Sequence, residues 1–149
     1  MEHILNRDTV AKIDFVSELG VPFTYDIREE LKFSDATYTK DAEEHPAKYA
    51  YWVSILERTK QKATAKSDSL DYIKASLEND ARKVLTKPTV SAIEDYVIVQ
   101  EEYQQALSEL RFWQGRVGII SGIVKGLEHR EQMLIQKGKL LKDMLSERY

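Results

Sequence analysis

The sequence of 149 residues contains no cysteine, only three prolines and only six glycines. The lack of cysteine excludes a disulfide framework and a cysteine-based metal site, and it favours a reducing, cytoplasmic location. Four acidic residues and no long apolar run lie within the first twenty positions, so we expect no secretory signal peptide. No apolar run reaches the roughly 20 residues that a membrane-spanning helix needs. One domain is the default expectation at this length.

The scarcity of proline leaves room for long helices, and the apolar pattern predicts two of them. From Asp41 onward, one set of residues alternates at spacings of three and four, which is typical of a coiled-coil seam. The seam residues are Tyr49, Trp52, Leu56, Thr59, Ala63, Lys66, Leu70, Ile73, Leu77, Asp80 and Val84. We expect this helix to run from about Glu43 to Leu85, or roughly 65 Å. Pro46 would lie in its first turn, where the missing N–H does no harm.

The segment Lys87-Pro88-Thr89 interrupts the pattern, and Thr89 can cap a second helix. No proline follows Pro88, so we expect that helix to continue along the rest of the chain. Its seam residues are Ile93, Tyr96, Val97, Tyr103, Leu107, Leu110, Trp113, Val117, Ile120, Val124, Leu127, Leu134, Leu141 and Leu145. The predicted fold is mainly α. Two long antiparallel helices form a coiled-coil-like hairpin over residues 42–149, and this hairpin assembles into a homo-oligomer.

Residues 1–41 form a small, mixed N-terminal segment in this prediction. Asp8 or Thr9 is the expected cap of a short helix through Leu19, which Gly20 would end. Residues 20–27 combine proline, aromatic and β-branched side chains, which indicates a loop or a short strand. Residues 26–32 are expected to form one or two helical turns.

Four of the six glycines fall within residues 112–131, inside the second predicted helix. Each glycine costs about 1 kcal/mol relative to alanine in a helix interior. The four share one face, opposite the apolar seam, and a glycine face allows another backbone to approach closely. Two interpretations stay open: a kink or break in the helix, and close packing between subunits. The residues predicted for an oligomer interface are Trp52, Trp113, Gly115, Gly118, Gly122, Gly126, Ile120 and Leu127.

The net charge is −3, but the charge is unevenly distributed along the chain. Residues 1–50 carry six basic and eleven acidic side chains, whereas residues 51–149 carry sixteen and fourteen. Basic residues along a rigid helix can follow a phosphate backbone, and nearby aromatic rings can stack on unpaired bases. The candidate DNA-binding residues are Arg58, Lys60, Lys62, Lys66, Lys74, Arg82, Lys83 and Tyr72. The competing interpretation is a solvated helix face.

The sequence gives little support for catalysis, and we expect no enzyme activity, no catalytic residue, no metal and no cofactor. The three histidines are scattered, and no His-x-x-x-His pair exists. Adjacent glutamates point to different faces of a helix, so they do not form an acid–base pair. A metal-dependent helical enzyme that uses Glu128, His129 and Glu131 is one alternative hypothesis.

Several short motifs, taken in order, resemble those of the UvsY-type recombination mediators of tailed phages. The matching elements are Ile27-Arg28-Glu29-Glu30-Leu31-Lys32, the acidic stretch 41–44, Tyr49-Ala50-Tyr51-Trp52, Gln61-Lys62, Leu70-Asp71-Tyr72, Phe112-Trp113 and a closing turn with Arg130. The resemblance covers roughly residues 26–145.

This resemblance implies a small helical protein without catalytic activity that forms a ring-like homo-oligomer. Such a protein binds single-stranded DNA and loads a RecA-like recombinase onto DNA covered by single-strand-binding protein, here in the cytoplasm of the phage host. The family's basic pair precedes its Leu-Asp-Tyr element, whereas this chain has Ser67 and Ser69 there. Lys60, Lys62 and Lys66 are the nearby substitutes. The alternative function is a structural coiled-coil adaptor or an assembly chaperone of a phage.

Overall fold

The computed structural model describes residues 11–16 and 21–148. Its elements are β1 (Lys12–Val16), β2 (Pro22–Asp26), α1 (Ile27–Leu31), α2 (Tyr38–Val84), α3 (Val90–Ile98) and α4 (Glu101–Ser146). The described chain is mainly helical, its two long helices pack together, and a small strand part precedes them, which confirms that much of the prediction. None of the described helices is long and apolar enough to cross a membrane.

Strands β1 and β2 form an antiparallel ribbon in which Ile13 pairs with Tyr25 and Phe15 pairs with Phe23. Alternate side chains of a strand point to the same face, so these four residues lie together. Ile13 is buried, and the rings of Phe15 and Phe23 stack with their centroids 5.5 Å apart. The ribbon therefore has one apolar, largely aromatic face.

The predictions for the N-terminal segment are met in part. The helix expected up to Leu19 is wrong over residues 12–16, which form β1. The error has a physical cause, because a five-residue alternation becomes a strand only when a partner such as β2 pairs with it. Residues 8–10 and 17–19 of the expected helix lie outside the described residues. Of the loop or short strand expected for residues 20–27, the structure has the strand, and the helical turns expected within residues 26–32 are confirmed.

The chain divides into two compact units. The first unit combines the described residues up to Tyr51 with those from Gly122 onward. The second unit is Trp52–Ser121. Because α2 and α4 each extend into both units, each unit contains a segment of both long helices.

In the first unit, a buried arginine joins three parts of the chain. Arg130 of α4 is 3% exposed, and it donates to the Lys32 carbonyl at 3.2 Å and to His45 Nδ1 at 2.7 Å. Its Nη2 also forms an ion pair with Asp41 at 3.3 Å. Such partners are required because an unpaired buried charge costs several kcal/mol. The cluster holds the α1–α2 connection and the first turns of α2 against α4.

Helix α2 begins at Tyr38, before the predicted start near Glu43, and Pro46 lies inside the helix instead of in its first turn. The Thr37 hydroxyl donates to Asp41 at 2.6 Å, and the Asp41 N–H donates to the Thr37 carbonyl at 2.8 Å. Local rules place proline at a helix start, because an internal proline removes a backbone hydrogen bond. Here the ion pair between Asp41 and the buried Arg130 stabilises the helical turns that precede Pro46.

The second predicted helix is two helices, α3 and α4, with a break at residues 99–100. The side-chain amide of Gln100 donates to the Tyr96 carbonyl at 3.0 Å, and the side-chain amide of Gln104 donates to the Ile98 carbonyl at 2.8 Å. A helix end leaves carbonyls without N–H partners, and these two amides supply donors for them. The break therefore needs neither glycine nor proline, which explains why the sequence pattern did not indicate it.

Two other predictions concern the start of α3 and the continuity of α4. Thr89 caps α3, since its hydroxyl accepts from the Ala92 N–H at 3.2 Å, and this confirms the predicted cap. Helix α4 continues without interruption through residues 112–131. The helix break considered for the glycine-rich stretch is therefore absent.

The α2 seam is buried in part within the second unit. Its buried predicted positions there are Trp52, Leu56, Thr59 and Leu77. Near the end of α2, Ala81 is buried, whereas the predicted positions Asp80 and Val84 are exposed. An α-helix with 3.6 residues per turn drifts by about 20° per strict seven-residue repeat, so the buried stripe moves to a neighbouring position.

The His45–Arg130 contact predicts a stability that depends on pH. Because Arg130 can only donate, Nδ1 of His45 must accept, and the buried imidazole is neutral. Burial, and then the charge of Arg130, lower the pKa of His45 from its ordinary 6.5; Lys48 also lowers it and Glu131 opposes this. The unfolded chain therefore binds this proton more readily. We expect the free energy of unfolding to fall between pH 7 and pH 5, by at most about 1.4 kcal/mol per pH unit.

Urea unfolding at several pH values measures this dependence, and His45→Gln is the matched variant. The glutamine amide keeps an acceptor for Arg130 but does not titrate, so its unfolding free energy should change much less over the same range. An equal decline in both proteins would show that other groups cause it.

Candidate nucleic-acid interface

Two aromatic rings in the second unit lie between two cations. Lys62 Nζ of α2 lies 5.3 Å from the centre of the Trp113 ring, and the Arg116 guanidinium lies 5.1 Å from the centre of the Phe112 ring. The two rings meet edge to face, with their centroids 5.5 Å apart and their planes at 88°. We call Lys62, Phe112, Trp113 and Arg116 the cation–aromatic cluster.

The helices determine this arrangement. Phe112 and Arg116 are four residues apart on α4, so they lie one turn apart on one face. Trp113 belongs to the predicted seam and is half-buried, whereas Phe112 is 54% exposed. Cation–π contacts at exposed sites contribute about 0.5–1 kcal/mol each, so they orient the rings without closing them off. The cluster thus presents an exposed ring flanked by positive charge.

A second pair lies one turn from the cluster. Lys66 Nζ bonds Glu109 Oε2 at 2.8 Å. Lys66 follows Lys62 by one turn on α2, and Glu109 precedes Trp113 by one turn on α4, so the helices are antiparallel here. The hydrogen bond and the charge of Lys66 hold the pKa of the Glu109 carboxyl below its usual range. Glu109 consequently neutralises Lys66 at neutral pH.

Two further candidate lysines form ion pairs with glutamates of α2 itself. Lys60 pairs with Glu57 at 3.2 Å, and Lys74 pairs with Glu78 at 4.0 Å. Exposed pairs of this kind contribute about 0–1 kcal/mol and remain solvated. Lys60, Lys66 and Lys74 thus lie beside carboxylates, whereas Lys62 lies over an aromatic ring.

The other predicted DNA-binding residues lie elsewhere on α2. Tyr72 is 77% exposed, about 15 Å along the helix from Lys62. Arg82 and Lys83 are exposed in the last turn of α2. Arg58 is exposed one turn before Lys62. The structure therefore brings Lys62 and Lys66 together with α4, and it leaves the more distant candidates apart from them.

The structure also describes Ser67 and Ser69, the two serines that replace a basic pair in the sequence resemblance. The Ser69 hydroxyl donates to the Ala65 carbonyl of its own helix at 3.0 Å, and Ser67 is half-buried. Neither side chain brings a positive charge to a phosphate, so any binding there depends on the neighbouring lysines.

Of the eight predicted interface residues, Trp113 belongs to the cation–aromatic cluster, and the other seven fall into two groups. Trp52, Ile120 and Leu127 are fully buried within the chain, which leaves them no surface for a second copy in this arrangement. Gly126 faces Leu31, where an added Cβ would come within 2.9 Å of that side chain. At Gly115, Gly118 and Gly122, by contrast, an added Cβ would meet nothing within 4 Å. Those three glycines form an open strip on α4.

Sequence reasoning missed two members of the cluster. Phe112 entered only as part of a motif, and Arg116 was not singled out. The signal was present, because an arginine four residues after an aromatic residue stacks on it in a helix. What the pattern lacked was the identity of the opposite helix, which brings Lys62 to Trp113.

The residues of the metal hypothesis do not converge. Among residues 11–16 and 21–148, no group of three or more histidine, aspartate or glutamate side chains is placed to hold a metal ion. Glu128 instead accepts a hydrogen bond from the Tyr49 hydroxyl at 3.1 Å.

Comparison with known proteins does not indicate a function for this chain. No family model matches the sequence, and no curated protein and no solved structure matches the chain.

The cluster predicts which aromatic residue contacts a bound strand. Phe112→Ala should weaken binding of a labelled single-stranded oligonucleotide by about 1–3 kcal/mol, the usual contribution of one stacked base. Tyr72→Ala removes another exposed ring of α2 away from the cluster and serves as the matched control. Fluorescence anisotropy measures both affinities. Equal losses in the two variants, or none in Phe112→Ala, would contradict the assignment.

Proposed function

We propose that this protein binds single-stranded DNA and acts as a recombination mediator of the UvsY type, without catalytic activity of its own. The observation that carries this proposal is the cation–aromatic cluster of the second unit. Its exposed Phe112 ring offers a face to a base, and Lys62 and Arg116 supply charge for the adjoining phosphates. Stacking platforms flanked by cations are the usual means of holding a strand without reading its sequence.

The chemistry of the cluster favours single strands over duplex. A base offers its π-face to a protein ring only when it is unstacked from its neighbours, and in a duplex both faces are covered. Duplex DNA would meet only the positive charges, and several of these are already neutralised by glutamates. We therefore expect weak and salt-sensitive duplex binding beside tighter single-strand binding.

One cluster gives a weak site, and assembly of several copies strengthens it. Linked sites can raise the overall affinity by about 10²–10⁴ without any new contact. The second unit supplies apolar surface for such assembly, since no residue of α2 between positions 60 and 76 is buried. Seam residues Leu70 and Ile73 stay half-exposed there, and the open glycine strip adds a face for close helix approach. We assign these surfaces to contacts between copies in a homo-oligomer.

The mediator role adds two protein partners to this scheme. A mediator has to recognise the single-strand-binding protein that covers the DNA and the RecA-like recombinase that replaces it. We assign this contact to the acidic first fifty residues, which carry eleven acidic and six basic side chains. Separating acidic and basic parts along the chain keeps the partner surface from competing for DNA.

One observation favours the alternative, a structural coiled-coil adaptor or phage assembly chaperone. Lys60, Lys66 and Lys74 each lie within 4.0 Å of a glutamate carboxylate, as in an ordinary solvated helix face. An adaptor would need the helices and their assembly, but it would not need the exposed Phe112 ring.

Charge reversal separates the two functions. Lys62→Glu places a negative charge at the cluster and should weaken single-strand binding far more than Lys60→Glu, whose side chain points to Glu57 on its own helix. The log of the affinity should also fall with log salt, by about 0.7 per phosphate contacted. Filter-binding titrations measure both quantities. Absence of single-strand binding by the unaltered protein at low salt would leave the adaptor as the function.

The glycine strip predicts the effect of bulk on assembly. Gly118→Leu adds a side chain where the chain itself leaves open space, so the fold should persist and the helix should gain about 1 kcal/mol. The same side chain would keep a second backbone away, and light scattering should report a smaller mass than for the unaltered protein. Ser108→Leu, an exposed substitution about 15 Å away on α4, is the control. An unchanged mass for Gly118→Leu would place assembly elsewhere.

A further inference from the structure

We propose that Glu109 occupies, on Lys66, the place that a phosphate of the bound strand takes, so that the strand must displace this carboxylate. The inference rests on the proposed single-strand binding and concerns the regulation of that same site. Glu109 would act as an internal competitor that keeps binding reversible.

The position of the pair supports this role. Lys66 and Glu109 meet at 2.8 Å on adjacent helices, one turn from the contact of Lys62 with Trp113. One helical turn of four residues spans about 6 Å. A strand with a base on the aromatic rings therefore brings its backbone within reach of both lysines. At Lys66 the strand meets the Glu109 carboxylate, which already forms an ion pair with the lysine ammonium.

The pair is also exposed enough to open. The side chains of Lys66 and Glu109 are 35% and 45% exposed, so water reaches both. Ion pairs of this kind contribute little net free energy, because solvation competes with them. A phosphate carries the same kind of anionic oxygen as a carboxylate and can replace it on a lysine. Displacement thus exchanges one partner for another and does not require the fold to change.

The exchange has a consequence for affinity. Binding must break the Lys66–Glu109 ion pair, and the free energy lost there is subtracted from that of binding, so the wild-type site binds less tightly than its lysines alone would allow. The hydrogen bond and the charge of Lys66 hold the pKa of the Glu109 carboxyl below its usual range, so this ion pair is formed at neutral pH before a strand arrives. A protein that loads DNA and then hands it over needs such moderate binding, since a strand held too tightly cannot be transferred.

The test compares two substitutions with the same change in net charge. Glu109→Gln removes the competitor at Lys66, and Glu57→Gln removes the glutamate beside Lys60, which lies outside the cluster. Affinity for a labelled oligothymidylate is measured by anisotropy over a series of salt concentrations. We expect Glu109→Gln to bind about fivefold more tightly, with a salt slope steeper by up to about 0.7, and Glu57→Gln to bind within about twofold of the wild type.

A double-mutant cycle tests whether Glu109 affects DNA binding through Lys66. If Glu109 acts through Lys66, its replacement should have little effect in a Lys66→Gln background, and the cycle should show strong coupling. Additive effects would overturn the inference, as would equal gains in Glu109→Gln and Glu57→Gln. If the wild type binds and Glu109→Gln binds no better, the inference fails and the proposed function stands. If neither protein binds at the lowest salt, the proposed function itself fails.

Discussion

A pair of long helices can bury only one stripe of each helix, and this constraint governs the second unit. The buried residues that α2 contributes to this unit lie within 52–59 and 77–81, while positions 60 to 76 include none. Leu70 and Ile73 keep apolar surface in contact with water, which is unfavourable by roughly 25 cal/mol for each Å² left exposed. The same limit leaves Phe112 on the outside of α4. Incomplete burial is therefore the common basis of both proposals, assembly and strand binding.

The lysines illustrate why net charge alone says little about function. A total of −3 argues against nucleic acid, yet the contacts differ from one lysine to the next. Lys62 lies over a ring, whereas Lys60 and Lys66 lie beside glutamates. A lysine on a ring keeps its charge available to a phosphate, while a paired lysine must first exchange its partner. The local pairing, and not the total, sets how strongly a strand can bind and how readily it leaves.

The sequence predicted both long helices and the Thr89 cap, but it missed the break at residues 99–100, although the hydrogen bonds that stabilise this break are local. The three-four spacing indicated both long helices, and Thr89 was correctly assigned as a cap. The other failures occurred where a distant residue decides the outcome. β1 exists because β2 pairs with it, and α2 starts early because Arg130, far along the chain, binds Asp41. A buried cation must find its partners wherever the fold provides them, and no window of neighbouring residues contains that information.

In the candidate site, too, some features follow from neighbouring residues and others from the tertiary structure. Periodicity and charge, which are properties of neighbouring residues, determined that this chain forms long helices and that Lys62 and Lys66 lie on one of them. Only the tertiary structure decided that Lys62 meets Trp113 and that Lys66 meets Glu109, because those contacts depend on the register between two antiparallel helices. Register is set by packing summed over both helices, and each side chain's partner, whether ring or carboxylate, follows from that sum.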